Sequence, residues 1–275
     1  MKLYQFLRQL HRLSRPGNYL EIGVHHGASL ALSRVPSIGV DPSFSVSIPI
    51  RCDVQLVKTT SDDFFAQPDP VRHLCGGRNP WRNLRRGRPL LGHLVGHAHI
   101  DLAFIDGLHH FEFALRDFMN IERHARWTSV IVFDDVLPRD VDEAARDRHT
   151  SAWAGDVFKL IPILTRFRPD LVVIPVDTAP TGMLVVLGAD ASNDTLARHY
   201  DEIVAEWGVP DPQPVPPDIL NRVGVMDPEA LLSAPIWEQL VRARRLRTTR
   251  ARGIAGIRRT LDALVHPARE AGRGR

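Results

Sequence analysis

The sequence predicts an α/β protein built on a doubly wound, mostly parallel sheet, and three observations carry that reading. Short apolar runs of strand length alternate with helix-patterned stretches of about 10 to 15 residues, the pattern of parallel strands joined by crossover helices. Several runs end directly in glycine or an acid, as at Ile22-Gly23, Val40-Asp41, Ile105-Asp106 and Phe133-Asp134. The last two runs are separated only by Asp177 to Gly182, which implies a hairpin and one antiparallel strand at or near the sheet edge.

Taken in order, Leu3, Phe6, Leu7, Leu10 and Leu13 fall on one helical face, and Pro16-Gly17 ends that lead-in helix. Tyr19 to Gly23 reads as a strand entering a glycine turn, and residues 28–33 read as the helix that follows. Residues 38–41 and 54–58 are the second and third strands, after which Ser61-Asp62-Asp63 offers an N-cap to a short helix. Residues 100–106 form the fourth strand, 111–125 a helix, 129–135 the fifth strand and 155–167 a helix, before the paired strands LVVIPV and GMLVVLG. The expected organisation is one domain over residues 1–189, interrupted at 67–99 by a Pro-, Gly-, Arg- and His-rich surface excursion that is either a lid or an insertion. Residues 190–275 are expected to form a helical appendage with a basic tail, joined through the proline-rich break at 211–217.

Composition narrows the class. With 44% hydrophobic and 24% charged residues over 275 positions, the chain is that of an ordinary globular protein, not a disordered one. No run approaches the roughly 18 apolar residues that span a bilayer. Cys52 and Cys75 belong to no metal-spaced pattern, and the loose His93, His97, His99 spacing is a poor zinc signature. Arg8, His11 and Arg12 interrupt the N-terminal apolar runs, which is unlike a signal peptide, so a cytoplasmic enzyme is expected. The net charge of +3 hides an asymmetry: eleven arginines against Glu238, Asp262 and Glu270 give residues 236–275 a balance of +8, leaving −5 for the body. Such a run is ordinarily a solvated helix face. It has Trp237 as its one aromatic residue, so no specific nucleic-acid partner is expected, and any contact through the tail is peripheral. The apolar Leu231 to Trp237 segment would suit a homo-oligomer.

In doubly wound sheets ligands lie beyond the carboxyl ends of the strands. That rule gathers Gly23 to Gly27, Asp41, Asp106 to His110 and Asp134-Asp135 on one rim. In Glu21-x-Gly23-x-x-x-Gly27 the glycines allow a close backbone approach to a ligand. The third glycine of a dinucleotide fingerprint is missing and Glu21 would repel a pyrophosphate, which disfavours the alternative of a nicotinamide-binding oxidoreductase. Asp41 is placed either to accept hydrogen bonds from ribose hydroxyls or to cap the turn before Pro42. Asp106, Asp134 and Asp135 invite a hard divalent cation such as Mg²⁺, unless the adjacent pair merely caps the next segment and faces solvent. His109 and His110 open a helix and must point in different directions, one as base or ligand and the other in packing. Trp153 either walls the site or packs in the core, and Arg139 and Arg146 are expected to pair with nearby acids.

These motifs resemble those of the class I S-adenosylmethionine-dependent methyltransferases, closest to the bacterial branch of sugar and antibiotic O-methyltransferases. YLEIGVHHGASL is similar to that family's first motif, IGVDP to its ribose-binding second strand, AFIDGLHHFEFALRD to its fourth-strand signature and SVIVFDD to its fifth. The resemblance spans about residues 19–188 and implies a Rossmann-like sheet. It further implies that Glu21 and Gly23 line the methionine end of S-adenosyl-L-methionine, that Gly27 allows the following helix to close over it, and that Asp41 holds the ribose. Asp106, Asp134 and Asp135 match the Mg²⁺ ligands of metal-dependent relatives, Asp106 doubles as a cofactor and catalytic residue, and His109 lies beside the substrate. Where many relatives carry Gly-Asp-Ser after the third strand this chain has Thr59-Thr60-Ser61, so the adenine contact falls to Ser61 or Asp62. The implied reaction is methylation of a hydroxyl on a small molecule or sugar, with His109 accepting its proton. A non-catalytic binding or scaffold protein on the same fold is the reading from a different class.

Overall fold

A computed structural model describes residues 1–75 and 99–265, which fold around one seven-stranded sheet. Its strands are β1 (Tyr19–Ile22), β2 (Ser37–Val40), β3 (Val54–Val57), β4 (Ile100–Ile105), β5 (Ala125–Asp134), β6 (Val172–Val176) and β7 (Met183–Leu187), in the spatial order β3-β2-β1-β4-β5-β7-β6. Neighbours from β3 to β5 are parallel, whereas β7 runs antiparallel to both β5 and β6. The doubly wound, mostly parallel Rossmann-like sheet with a closing hairpin is therefore present. The hairpin folds back so that β7 inserts beside β5 and β6 becomes the edge. Strand order reverses between β1 and β4, where carboxyl ends open a crevice. The central strands are near-continuous apolar runs because both of their faces are covered.

Helices α2 (Ser61–Phe65), α3 (Phe111–Glu122) and α4 (Leu160–Phe167) cover one face, packing Phe64, Phe118 and Ile163 against Ile131 and Phe133. The short α5 (Thr195–Arg198) and α6 (Tyr200–Trp207) add Leu196 and Ile203 to that core. After the single turn α7 (Pro217–Leu220), the chain crosses to the other face. There α1 (Leu3–Ser14), α8 (Pro228–Ser233), α9 (Ile236–Leu246) and α10 (Arg250–Val265) bury Phe6, Leu10, Trp237, Leu240 and Ile257 against Val130, Val132 and Val185. Residues 195–265 are thus largely helical, as expected, and they share the sheet's core. Leu231 to Trp237, which would have suited a dimer, is taken up by that core: Leu231 is fully buried and Trp237 donates from Nε1 to the Leu231 carbonyl at 2.9 Å.

Two elements differ from the sequence reading. Residues 28–33 do not form the expected helix, only one 3₁₀ turn at Leu30–Leu32. Gly27 sits at φ +81° and the chain must reach β2 by Ser37, which leaves too few residues to offset the cost of nucleating a helix. The connection from β2 to β3, residues 41–53, has no helix either. β5 starts at Ala125, four residues early, across a register shift that Ser129 bridges by donating to the Ile100 carbonyl at 2.5 Å. The excursion begins as an ordered 3₁₀ turn at Arg72–Cys75 with Val71 and Leu74 buried; its remainder, including His93 and His97, and the end of the basic tail lie outside the described residues. Among the described residues no helix is long and apolar enough to cross a membrane.

Candidate active site

The loop after β1 is fitted tightly to the end of β4. Gly23 adopts φ +85°, and a Cβ there would lie 1.7 Å from the carbonyl oxygen of Asp106, so only glycine is accommodated. The Gly23 amide donates to the Val40 carbonyl at 2.9 Å and the Asp106 amide to the Ile22 carbonyl at 2.8 Å, which ties the ends of β1, β2 and β4 into one rim. Asp41 completes the tie: its Oδ2 accepts from the amides of Val24 and His25, both at 2.8 Å, and Oδ1 accepts from Ser43 at 2.6 Å. A carboxylate offers about four acceptor positions, so Asp41 keeps about one for a ligand.

Other residues expected to touch a cofactor are placed less openly. Glu21 is fully buried beneath the rim, accepting from the Tyr19 hydroxyl at 2.5 Å and the Ser29 hydroxyl at 2.8 Å. Burial pushes its carboxyl up to about 8, against the pull of those two hydrogen bonds. Asp62 pairs with Arg116 at 2.9 Å, and Arg116 also donates to the Tyr200 hydroxyl at 2.7 Å. Ser61 hydrogen-bonds Asp117, whose carboxyl burial raises to about 7. Both residues therefore clamp α2 to α3. The second oxygen of Asp117, Oδ1, is buried without a hydrogen-bond partner, and the carboxyl lies beside Gly107.

The chemistry-bearing cluster forms where β4 and β5 end. Donor atoms of Asp106, His109 and Asp135 all lie within 4.8 Å of one another. His109 bridges the two acids, with Nε2 at 3.3 Å from Asp106 Oδ1 and Nδ1 at 3.3 Å from Asp135 Oδ2. Burial pulls the imidazole pKa down, but the hydrogen bond and charge of Asp106 and the charge of Asp135 outweigh it and hold it at about 9. Burial raises Asp135 to about 6 despite the opposing charge of His109. Asp134 stands outside the three-residue set; burial, then the charges of Asp135 and Asp106, push it well above the usual carboxylate range. His110 turns away, its Nε2 facing the Arg146 carbonyl at 3.0 Å, which singles out His109 as the histidine of the site.

Several supporting residues were weakly signalled in the sequence or not at all. Trp153 stacks on His109 with ring centroids 4.8 Å apart, and its carbonyl lies 3.0 Å from His109 Nδ1. Gly155 sits at φ +61°, and a Cβ there would lie 1.8 Å from the His109 carbonyl oxygen. Thr181, in the β6–β7 turn, donates to Asp135. Arg139 pairs with Glu143, a local acid as expected, whereas Arg146 reaches across to Glu112 and to buried Asp156. Asp156 also pairs with buried Lys159 at 2.8 Å and accepts the Phe111 amide at the start of α3, a long-range network that local spacing does not encode.

The donor set suits a divalent cation. Two carboxylate oxygens and an imidazole nitrogen converge, a third carboxylate stands beside them, and His109 is the only positive group facing the acids among the described residues of the cluster.

Residues 55–136 match the family described as "Methyltransferase domain". No curated protein matches the chain significantly. Similar solved structures include the O-methyltransferase TomG from Streptomyces achromogenes, involved in tomaymycin synthesis and bound to S-adenosylmethionine (SAM). It is 19% identical, with 67% of this chain and 78% of that chain covered and a TM-score of 0.46. An O-methyltransferase from Bacillus cereus in complex with SAH is 14% identical, with 67% and 79% covered and a TM-score of 0.37. The SAH-bound methyltransferase PaMTH1 of Podospora anserina is 12% identical, with 67% and 76% covered and a TM-score of 0.42. The segment from β3 to the end of β5, which carries Ser61, Asp62, Asp106, His109, Asp134 and Asp135, thus has the sequence signature of a methyltransferase domain.

Proposed function

We propose that the protein is an S-adenosyl-L-methionine-dependent methyltransferase that methylates a hydroxyl of a small molecule or sugar, assisted by a divalent cation, with Mg²⁺ the expected ion. The observation that carries this reading is the convergence of Asp106, His109 and Asp135 at the ends of β4 and β5, on a segment that matches a methyltransferase domain.

The residues present fit an adenosine-bearing cofactor. Gly23 and Gly27 shape the loop beside Asp106, Asp41 retains acceptor capacity at the end of β2, and the unpaired Asp117 oxygen suits the amino group of a nucleobase. Ser61 and Asp62 contribute by holding α2 against α3, and Glu21 by bracing β1 from below, since its oxygens are engaged by Tyr19 and Ser29. When bound, the cofactor supplies a methyl group on sulfonium. Asp106 and Asp135 would hold the cation, with Asp134 adding charge, and the cation supplies a lower hydroxyl pKa.

His109 is the group that handles the acceptor proton. While it faces uncompensated carboxylates it stays protonated at neutral pH. Neutralising their charge weakens the pull of Asp106 and Asp135, the largest causes that raise its pKa, and moves Nε2 toward the range of a base. Trp153 fixes the ring plane by stacking and excludes water from one side. Positioning of this kind supplies much of the rate in group transfer.

The oxidoreductase alternative loses further ground in the fold. A single 3₁₀ turn after the glycine loop offers no helix N-terminus to a pyrophosphate. Calorimetric titration with SAM, SAH and NAD, each with Mg²⁺ and with chelator, separates the readings. Binding of SAM and SAH without NAD supports methyl transfer, NAD binding alone restores the oxidoreductase, and silence from all three favours a scaffold.

A further inference from the structure

The connections after β1 and β2 lack helices, and this leaves one flank of α1 uncovered, where a cavity of about 830 Å³ opens. Arg8, Arg12 and Arg15 line it from α1 and its end, Arg34 from the segment before β2, and Arg51 from the β2–β3 connection. Among the described residues, no aspartate or glutamate lines it. Arg116, Arg146, Arg168 and Arg250 are each paired with carboxylates, but among the described residues Arg8, Arg12, Arg15 and Arg51 make no ion pair. Among the described residues Arg34 donates to the carbonyls of Ala31 and Ser33 and makes no ion pair. His11, also in the lining, has a buried Nε2 with no hydrogen-bond partner. Five guanidinium groups around one hollow repel one another until an anion joins them, and their forked donors match phosphate oxygens.

Arg15, Arg34 and Arg51 precede β1, β2 and β3, at the amino ends of the strands, whereas Tyr4 lies at the other end of α1, beside the β6–β7 turn. Tyr4, Arg8 and Arg12 recur at helical spacing along one face of α1, with Arg8 about 6 Å below Tyr4 along the axis, and Arg15 follows the end of the helix. The first turn of α1 is held to the β6–β7 turn, with the Leu3 amide donating to the Ala179 carbonyl at 3.3 Å and the Ala179 amide to the Met1 carbonyl at 2.8 Å. That same turn carries Thr181 against Asp135. Tyr4 feels the site: burial first, then the charges of Asp106 and Asp134, raise its phenol.

We propose that this cavity binds the anionic part of the acceptor, a phosphorylated small molecule with at least two phosphate charges, whose hydroxyl passes Tyr4 to reach Asp106 and Asp135. SAM carries no phosphate, so cofactor binding does not account for the arginines. Naming the ligand as the acceptor rests on the methyl-transfer reading; the anion site itself does not.

The test is calorimetric titration of the full chain with pyrophosphate and, separately, with SAH at low ionic strength. The wild type, Arg8→Gln/Arg12→Gln and Arg242→Gln/Arg252→Gln are compared, the last pair lining a separate groove between α9 and α10. Arg8 and Arg12 are exposed, so their replacement leaves the fold intact. The expected result is pyrophosphate binding that weakens at least tenfold in the α1 variant alone, with SAH affinity and thermal midpoint unchanged. Absence of pyrophosphate binding to the wild type, or an equal loss in the α9–α10 variant, overturns the anion site. Pyrophosphate binding without SAH binding keeps the site and sinks the methyl-transfer reading, whereas SAH binding without pyrophosphate does the reverse.

Discussion

At the scale of single residues, the site depends on positions where chemistry and backbone geometry coincide. Gly23 is the sharpest case, since a methyl group there would overlap the Asp106 carbonyl and φ is +85°. Gly23→Ala is expected to cost about 3 kcal/mol of stability, as strain at a special backbone position does, and to abolish SAH binding in the fraction that folds. Denaturant unfolding and calorimetry read the two effects. Asp135 and Asp134 separate by role. Asp135 belongs to the three-residue donor set, so Asp135→Asn should weaken Mn²⁺ binding at least tenfold, while Asp134→Asn weakens it less and both keep SAH affinity within about twofold. Equal effects of the two changes, or loss of SAH binding in either, would contradict the assigned roles. Asp106 and Asp135 directly follow β4 and β5, and His109 lies in the loop between β4 and α3, so the sequence alone gathers the three on one rim. That Glu21 lies under the rim was not legible, because an acid on a four-residue strand reads the same whichever face it takes. Here Tyr19, two residues earlier and on the same face, captures it by hydrogen bond.

At the scale of elements, strands and crossover helices were readable because their apolar periodicity reflects burial on both faces of a parallel sheet. The missing helix after β1 was not. Ala28 to Ser33 has helical residues, but the left-handed Gly27 and the short span to β2 override propensity. The C-terminal helices could be recognised as helices and not as part of the main core, because their partners, Phe6 and Leu10 of α1, lie more than 200 residues away in the sequence. Trp237 is the key to that layer, 1% exposed. Trp237→Ala should cost about 3–5 kcal/mol, the range for emptying a large buried aromatic, in a single cooperative unfolding transition. Loss of the C-terminal layer in a separate, earlier transition would mean that α8–α10 are not integral to the sheet. Arg168 on the other face is bound bidentately by Glu122, with bonds of 2.6 and 2.8 Å, and also pairs with Asp170, an arrangement that anchors the start of β6 to the end of α3.

At the scale of the whole molecule, the groups that bind protons more tightly in the folded chain than in the unfolded one include Glu21 at about 8, Asp117 at about 7 and His109 at about 9. A group whose folded pKa is raised gives stability that is complete below its unfolded pKa and is lost as pH rises through the folded value. Stability should therefore fall from pH 6.5 to 9, by at most about 1.4 kcal/mol per pH unit for each proton lost. Glu21→Gln should flatten the part of that decline below about pH 8, and thermal midpoints measured across the series read it directly. A decline that Glu21→Gln leaves unchanged would show that Glu21 is ionised in the folded state. The sheet, the glycine loop, Asp41 and the paired acids at the ends of β4 and β5 together form one site, for which the central claim is methyl transfer. The most direct measurement is calorimetric titration of the full chain with SAH beside NAD. Saturable SAH binding that Gly23→Ala removes, with no NAD signal, is the predicted result; NAD binding with no response to SAH would contradict it.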